Sequence, residues 1–175
     1  MIEEADTIRS FLIDGDHPVM PLFHGDSVIW LGDSLIYQWK IIKAGPALDA
    51  SQTRRLRKAV LSRHTYVFND SKGCLPRPGL GLRFIHDGHR VDLALCFECL
   101  MWSFYSDGEV HDEDFDGSAR ELRELAHELF PDVEKFTRLG PQRGFVQLAG
   151  ASLPAGGQAP SIPLHIDPMW MDVGE

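Results

Sequence analysis

Cysteine is scarce in this sequence: Cys74, Cys96 and Cys99 are the only three among 175 residues, too few to pair completely within one chain. Long apolar runs are missing too, and none approaches the ~18 residues that a bilayer-spanning helix needs. The opening Met1-Ile2-Glu3-Glu4-Ala5-Asp6 is acidic where an export signal is basic and then apolar. Together these absences predict a soluble cytoplasmic protein without a membrane partner, whose cysteines are thiols or thiolate ligands. Basic residues are in deficit: 17 Lys and Arg against 26 Asp and Glu leave a formal net charge of −9. Such a balance repels phosphate backbones and argues against a nucleic-acid partner. No Gly-rich phosphate loop occurs, and no Asp-x-x-His pair follows any serine nucleophile candidate.

What remains is ordinary globular material, 43% hydrophobic and 25% charged, with a length that suits one domain and a core needing no staples. Ile2, Ala5, Ile8 and Leu12 recur at helical spacing and predict a short amphipathic helix over 2–13. Val28–Leu31 and Leu35–Trp39 are β-prone runs around Gly32-Asp33-Ser34, which reads as a hairpin. Asp49 with Gln52 three residues on forms a capping box and opens a helix near 50–63, with Leu56, Ala59 and Val60 on its apolar stripe. A basic face of Arg54, Arg55, Arg57, Lys58 and Arg63 accompanies it, expected to pair with an acidic loop downstream.

Asp87-Gly88 suits a two-residue type I′ turn, because both residues tolerate positive φ. That turn sets one register: Leu80 opposite Leu95, Leu82 opposite Leu93, Phe84 opposite Val91, and Arg83 opposite Asp92 on the other face. The apolar run through Cys96–Tyr105 continues the second strand, Ser106–Gly117 reads as an acidic loop, and Ser118 with Glu121 caps a helix over 118–130. Trp30, Trp39, Trp102 and Phe104 belong to the core. The expected fold is α+β: one domain over 1–148, an antiparallel sheet of two hairpins covered by two or three helices. Residues 149–175 form a Gly- and Pro-rich tail docked on it, with Trp170 as an anchor.

Four constellations could carry chemistry. Cys74, Cys96 and Cys99 offer three sulfurs for zinc, with His24, His64, His111 or His165 as a fourth ligand. Residues three apart on a regular strand point to opposite faces, so the zinc reading needs a bulge between Cys96 and Cys99. Buried structural thiols are the alternative, with no cofactor at all. Asp112-Glu113-Asp114-Phe115-Asp116-Gly117 matches the first half of a calcium loop, but Arg123 stands where a bidentate Glu belongs. The remaining two are the acidic cluster Asp107, Glu109, Asp112, Glu113, Asp114 and Asp116, and Ser34.

Val28-Ile29-Trp30-Leu31-Gly32-Asp33-Ser34-Leu35 resembles the first block of the GDSL serine hydrolases, and that resemblance implies Ser34 as nucleophile. The family's late Asp-x-x-His is absent, and Val67 replaces the glycine that would precede Asn69-Asp70. The stretch from Cys74 through Cys96-Phe97-Glu98-Cys99 to Leu129-Phe130-Pro131 resembles a group of short uncharacterised bacterial proteins, which implies an α+β domain and no particular activity. No set of nucleophile, base and oxyanion donors is legible. The sequence therefore favours a non-enzymatic acidic binding domain, an inhibitor or immunity-type partner of a basic protein, with Asp107, Glu109, Asp112, Glu113, Asp114 and Asp116 as its contact surface. A zinc-stabilised domain and a Ser34 hydrolase stand as alternatives.

Overall fold

The computed structural model describes residues 2–19, 22–24, 27–29, 32–67, 72–106 and 109–137. The chain divides into two units, Met1–Gln142 and Arg143–Glu175, and the second lies outside the described residues. So do the tail with Trp170, and Trp30, His165 and Asp107.

The first unit is α+β. Its strands are β1 (Thr7–Pro18), β2 (Leu22–His24), β3 (Ser27–Ile29), β4 (Leu35–Ile36), β5 (Trp39–Ala47), β6 (Leu80–His86), β7 (His89–Cys96), β8 (Met101–Ser106) and β9 (Glu109–Asp114). Its helices are α1 (Ala50–Leu61), α2 (Ala119–Leu129) and α3 (Glu134–Thr137). Seven strands form one antiparallel sheet in the order β4-β5-β1-β6-β7-β8-β9, while β2 and β3 pair separately. Since β5 and β6 both pair with β1, the chain passes through α1 to reach the far side of β1.

The β6–β7 hairpin has the expected register at every pair from Leu80–Leu95 to Phe84–Val91. Asp87 and Gly88 sit at φ 48° and 78°, the left-handed values that the tight turn requires. One face of the sheet carries Leu80, Leu82, Phe84, Leu93, Leu95 and Trp102, packed against Leu56 and Val60 of α1 and Leu122, Leu125 and Leu129 of α2. The α1 capping box forms as read: Asp49 accepts from the Ser51 and Gln52 amides at 2.8 Å each, and Gln52 accepts from the Asp49 amide at 3.1 Å.

The opposite face is covered by the β4–β5 turn and holds Phe11, Ile13, Ile36, Trp39 and Tyr105. Here the Arg83–Asp92 pair is fully buried, at 4% and 2% exposure. Arg83 reaches Asp92 at 2.7 and 2.9 Å, the Leu35 carbonyl at 2.6 Å and Asp33 at 3.3 Å, and its guanidinium lies over the Phe11 ring. Tyr37 stacks on Tyr105 with ring centroids 4.0 Å apart. Burial pushes the Tyr105 phenol up to about 12.

Several local readings are corrected. Residues 7–18 are a strand rather than part of a helix. This central strand is apolar on both faces, Ile8 and Leu12 on the helix side and Phe11 and Ile13 on the other, and Ile8 with Leu12, four residues apart on one face, imitates a helical stripe. The hairpin around Gly32–Ser34 does not form: those residues make a 3₁₀ turn, and β4 pairs with β5 through Tyr37-Gln38, with Tyr37 at φ 52°. The run Cys96–Tyr105 is two strands, because the chain reverses through 97–100 with Leu100 at φ 53°. Ser106–Gly117 is not a loop, since β9 pairs with β8 from Ser106–Glu109 to Met101–Asp114. Ser118 caps nothing with its side chain; its hydroxyl meets Thr65 at 2.8 Å, where Gly117 lets the two segments touch. A Cβ at Gly117 would sit 1.8 Å from the His64 carbonyl oxygen.

Candidate functional site

The acidic cluster lies on an edge strand. Strand β9 ends the sheet order, and its side chains alternate between the two faces because successive residues of a strand point oppositely. Glu109, His111 and Glu113 share the face of Trp102 and Phe104; Asp112 and Asp114 share the face of Ser103. The expected contact surface is thus split. Glu109, Asp112 and Asp116 are exposed, Glu113 is half-buried and Asp114 is buried. Asp112 accepts from the Ser103 hydroxyl at 2.5 Å, and Glu109 lies 3.3 Å from the His111 ring. Beside Glu113, the Tyr66 phenol is raised, by burial first and by that carboxylate second.

The inner end of β9 is neutralised from an unexpected direction. The Lys72 ammonium, 3% exposed, contacts Asp116 and lies 3.3 Å from both Asp114 and the Leu100 carbonyl. Lys72 belongs to residues 72–79, which pass over the 97–100 turn. This occupation also bears on the calcium reading: Asp114 and Asp116 face an ammonium, and Asp112 and Asp114 belong to a strand rather than to a loop wrapped round an ion.

The same segment settles where the sulfurs go. Cys74 and Cys99 are joined as a disulfide with Cα atoms 5.9 Å apart, so neither carries a thiolate for zinc in this state. Cys96 is a buried free thiol whose sulfur accepts from the Arg77 amide at 3.2 Å. The expectation of three thiols is corrected for Cys74 and Cys99. The turn between Cys96 and Cys99 is what brings Cys99 round to the incoming strap, and the sequence pattern alone hides it.

Ser34 is exposed at the end of the 3₁₀ turn, and its neighbour Asp33 pairs with Arg83 at 3.3 Å and Arg90 at 3.2 Å. Triad chemistry needs an imidazole turned to the serine. Among the described residues, three histidines are turned to carboxylates: His17 to Asp14, His86 to Asp6, and His111 to Glu109. Two residues of the basic helix face pair elsewhere than the acidic strand. Arg55 binds Glu128 at 2.7 Å and lies 3.7 Å from Glu121, both on α2, while Arg57 donates to the Ala5 carbonyl. Arg54 and Arg63 are exposed.

Among the described residues, Asp6, His86 and Asp87 offer ligand atoms within 4.8 Å of one another at the tip of the β6–β7 hairpin. Asp6 and Asp87 are two-thirds or more exposed, and the carboxylates stand 3.2–3.7 Å from the ring nitrogens, the spacing of ion pairing. A hollow of about 120 Å³ lies between Lys43–Pro46 and Leu129–Val133, well below the ~300–1,000 Å³ of a small-molecule site. No described helix is long and apolar enough to cross a membrane. Comparison of the chain with protein-family models, with curated proteins and with solved structures gives no match.

Proposed function

We propose that this chain is a non-enzymatic acidic protein-binding domain, of the inhibitor or immunity type, that presents the β8–β9 edge to a basic protein in the cytoplasm. The observation that carries the reading is the edge itself: Glu109 and Asp112 stand exposed, with Glu113 half-buried, on a strand held by a fully packed sheet. A rigid array of like charge attracts an oppositely charged surface over several ångströms and speeds encounter without any large apolar contact. The formal charge of −9 extends the same field over the whole molecule. Charged edges also prevent strand-to-strand aggregation. The two roles part company when the charges are inverted, because Lys guards an edge as well as Glu does.

The test is quantitative affinity capture from the native host, with the wild-type chain and with Glu109→Lys/Asp112→Lys/Glu113→Lys as baits. The expected outcome is a basic protein retained by the wild type, released by added salt and lost from the variant. Equal retention by both baits would end the reading.

A further inference from the structure

Residues 72–79 are tied down by three kinds of bond, and only the disulfide among them is opened by a thiol. At the downstream end Gly79 donates to the Leu95 carbonyl, Ile13 donates to the Gly79 carbonyl, and the Arg77 amide donates to Cys96 Sγ. Upstream, the Lys72 ammonium sits on Asp114, Asp116 and the Leu100 carbonyl. Between them the Cys74–Cys99 bond fastens the strap to the turn.

The two sulfurs differ in access. Cys99 is buried at 2% exposure, whereas Cys74 is half-buried between exposed Gly73 and Leu75, the latter at 81%. Thiol–disulfide exchange needs one reachable sulfur, and Cys74 supplies it. Attack at Cys74 expels Cys99 as a thiolate; once that sulfur has taken a proton from solvent, its thiol can donate to the Leu75 carbonyl oxygen, which lies 3.6 Å away. The backbone ties at Gly79 and the β6–β7 pairing are made by main-chain groups and involve neither sulfur of the bond. Lys72 lies two residues upstream of Cys74, so the bond fixes the chain beside it.

We propose that Cys74 and Cys99 form a reversible redox latch that decides whether Lys72 is held against the Asp114–Asp116 end of the acidic edge. Closing the latch takes one proton and one electron from each thiol. The two electrons cleave the S–S bond of a small disulfide of the glutathione type, and the two protons complete its two thiols. Opening is the reverse, and it withdraws one positive charge from the acidic edge. Its consequence for binding rests on the proposed function; the latch does not. In a reducing compartment an internal disulfide of this kind is transient rather than structural, which suits a switch.

The test equilibrates the full chain with oxidised or reduced glutathione. Peptide mapping without reductant should show Cys74 linked to Cys99 in the oxidised sample, with Cys96 alkylated after unfolding. Amide exchange over 72–76 should quicken by more than about tenfold on reduction while β6 and β7 stay protected. Cys74→Ser should reproduce the fast strap under oxidising conditions, and Cys96→Ser should keep the redox response. Alkylation of all three cysteines in the oxidised sample, or strap exchange equal in the two states, overturns the latch. A short oligolysine should bind the reduced chain more tightly than the oxidised one. If strap exchange responds to redox and oligolysine affinity does not, the latch stands and the reading of β9 as a docking edge is at fault.

Discussion

The β6–β7 and β8–β9 hairpins are built from the same antiparallel pairing, yet one is the centre of the molecule and the other its rim. In β6–β7 every residue from Leu80 to Phe84, and from Val91 to Cys96, is buried, and even the charged pair Arg83–Asp92 is taken out of water. In β9 only Asp114 is buried, and the strand reads Glu-Val-His-Asp-Glu-Asp. The contrast shows what each can be used for. A side chain in the first pair is committed to holding the sheet together, whereas on β9 the carboxylates of Glu109 and Asp112 stand exposed.

Breaking the central pair should have the largest effect. Asp92→Ala leaves the Arg83 guanidinium buried without its carboxylate, which costs about 3–5 kcal/mol of stability. Urea unfolding followed by tryptophan fluorescence would measure it, and a loss below about 1 kcal/mol, the size of an exposed pair, would show that Arg83 is solvated. Next in size, Leu82→Ala should cost about 2–5 kcal/mol through the cavity it leaves beneath the helices. The matching change on the rim, Val110→Ala, should stay within about 0.5 kcal/mol. Equal losses at the two positions would abolish the distinction between core and rim.

Tyr105 sharpens the comparison from the alkaline side. It lies on the inner face of β8, and burial holds its phenol at about 12 against the ordinary 10.0. As pH rises past 10 the unfolded chain releases this proton while the folded chain keeps it. The unfolded state then binds fewer protons, so the phenol's contribution, complete below 10, is lost as pH climbs to about 12. The unfolding midpoint against pH, with Tyr105→Phe as control, reads this directly; a wild type that tracks the variant would refute the burial. The smallest expected effect on stability comes from Glu109→Lys, within about 0.5 kcal/mol, since Glu109 and its neighbour His111 are both exposed.

The two hairpins were also unequally legible. Asp87-Gly88 and the alternation of Leu80, Leu82 and Phe84 announce β6–β7, because turn chemistry and burial agree on one register. Nothing in β9 announces a strand: its carboxylates have poor β propensity, and the pairing is imposed by β8. An edge strand is legible mainly in the residues of its neighbour. The N-terminal strand reads as a helix for the opposite reason. Buried on both faces, it loses the period of two that marks a half-exposed strand, and Ile8 with Leu12 mimics a helical stripe. Of the site, the carboxylates themselves were visible from composition. Lys72 was not, because an ion pair over 42–44 residues of separation leaves no local pattern. The Cys74–Cys99 bond was hidden by a reversal at 97–100 whose left-handed residue is Leu100, where a turn usually advertises itself with Gly or Asn.

The separation of scaffold from rim is tested most directly in one variant, Glu109→Lys/Asp112→Lys/Glu113→Lys, carried through two readings. Its equilibrium affinity for the captured basic partner is measured over a salt series beside its urea midpoint. The account expects a midpoint close to that of the wild type, an affinity lost at low salt, and a wild-type affinity that falls steeply as salt rises. Unchanged affinity and salt dependence in the variant would contradict it.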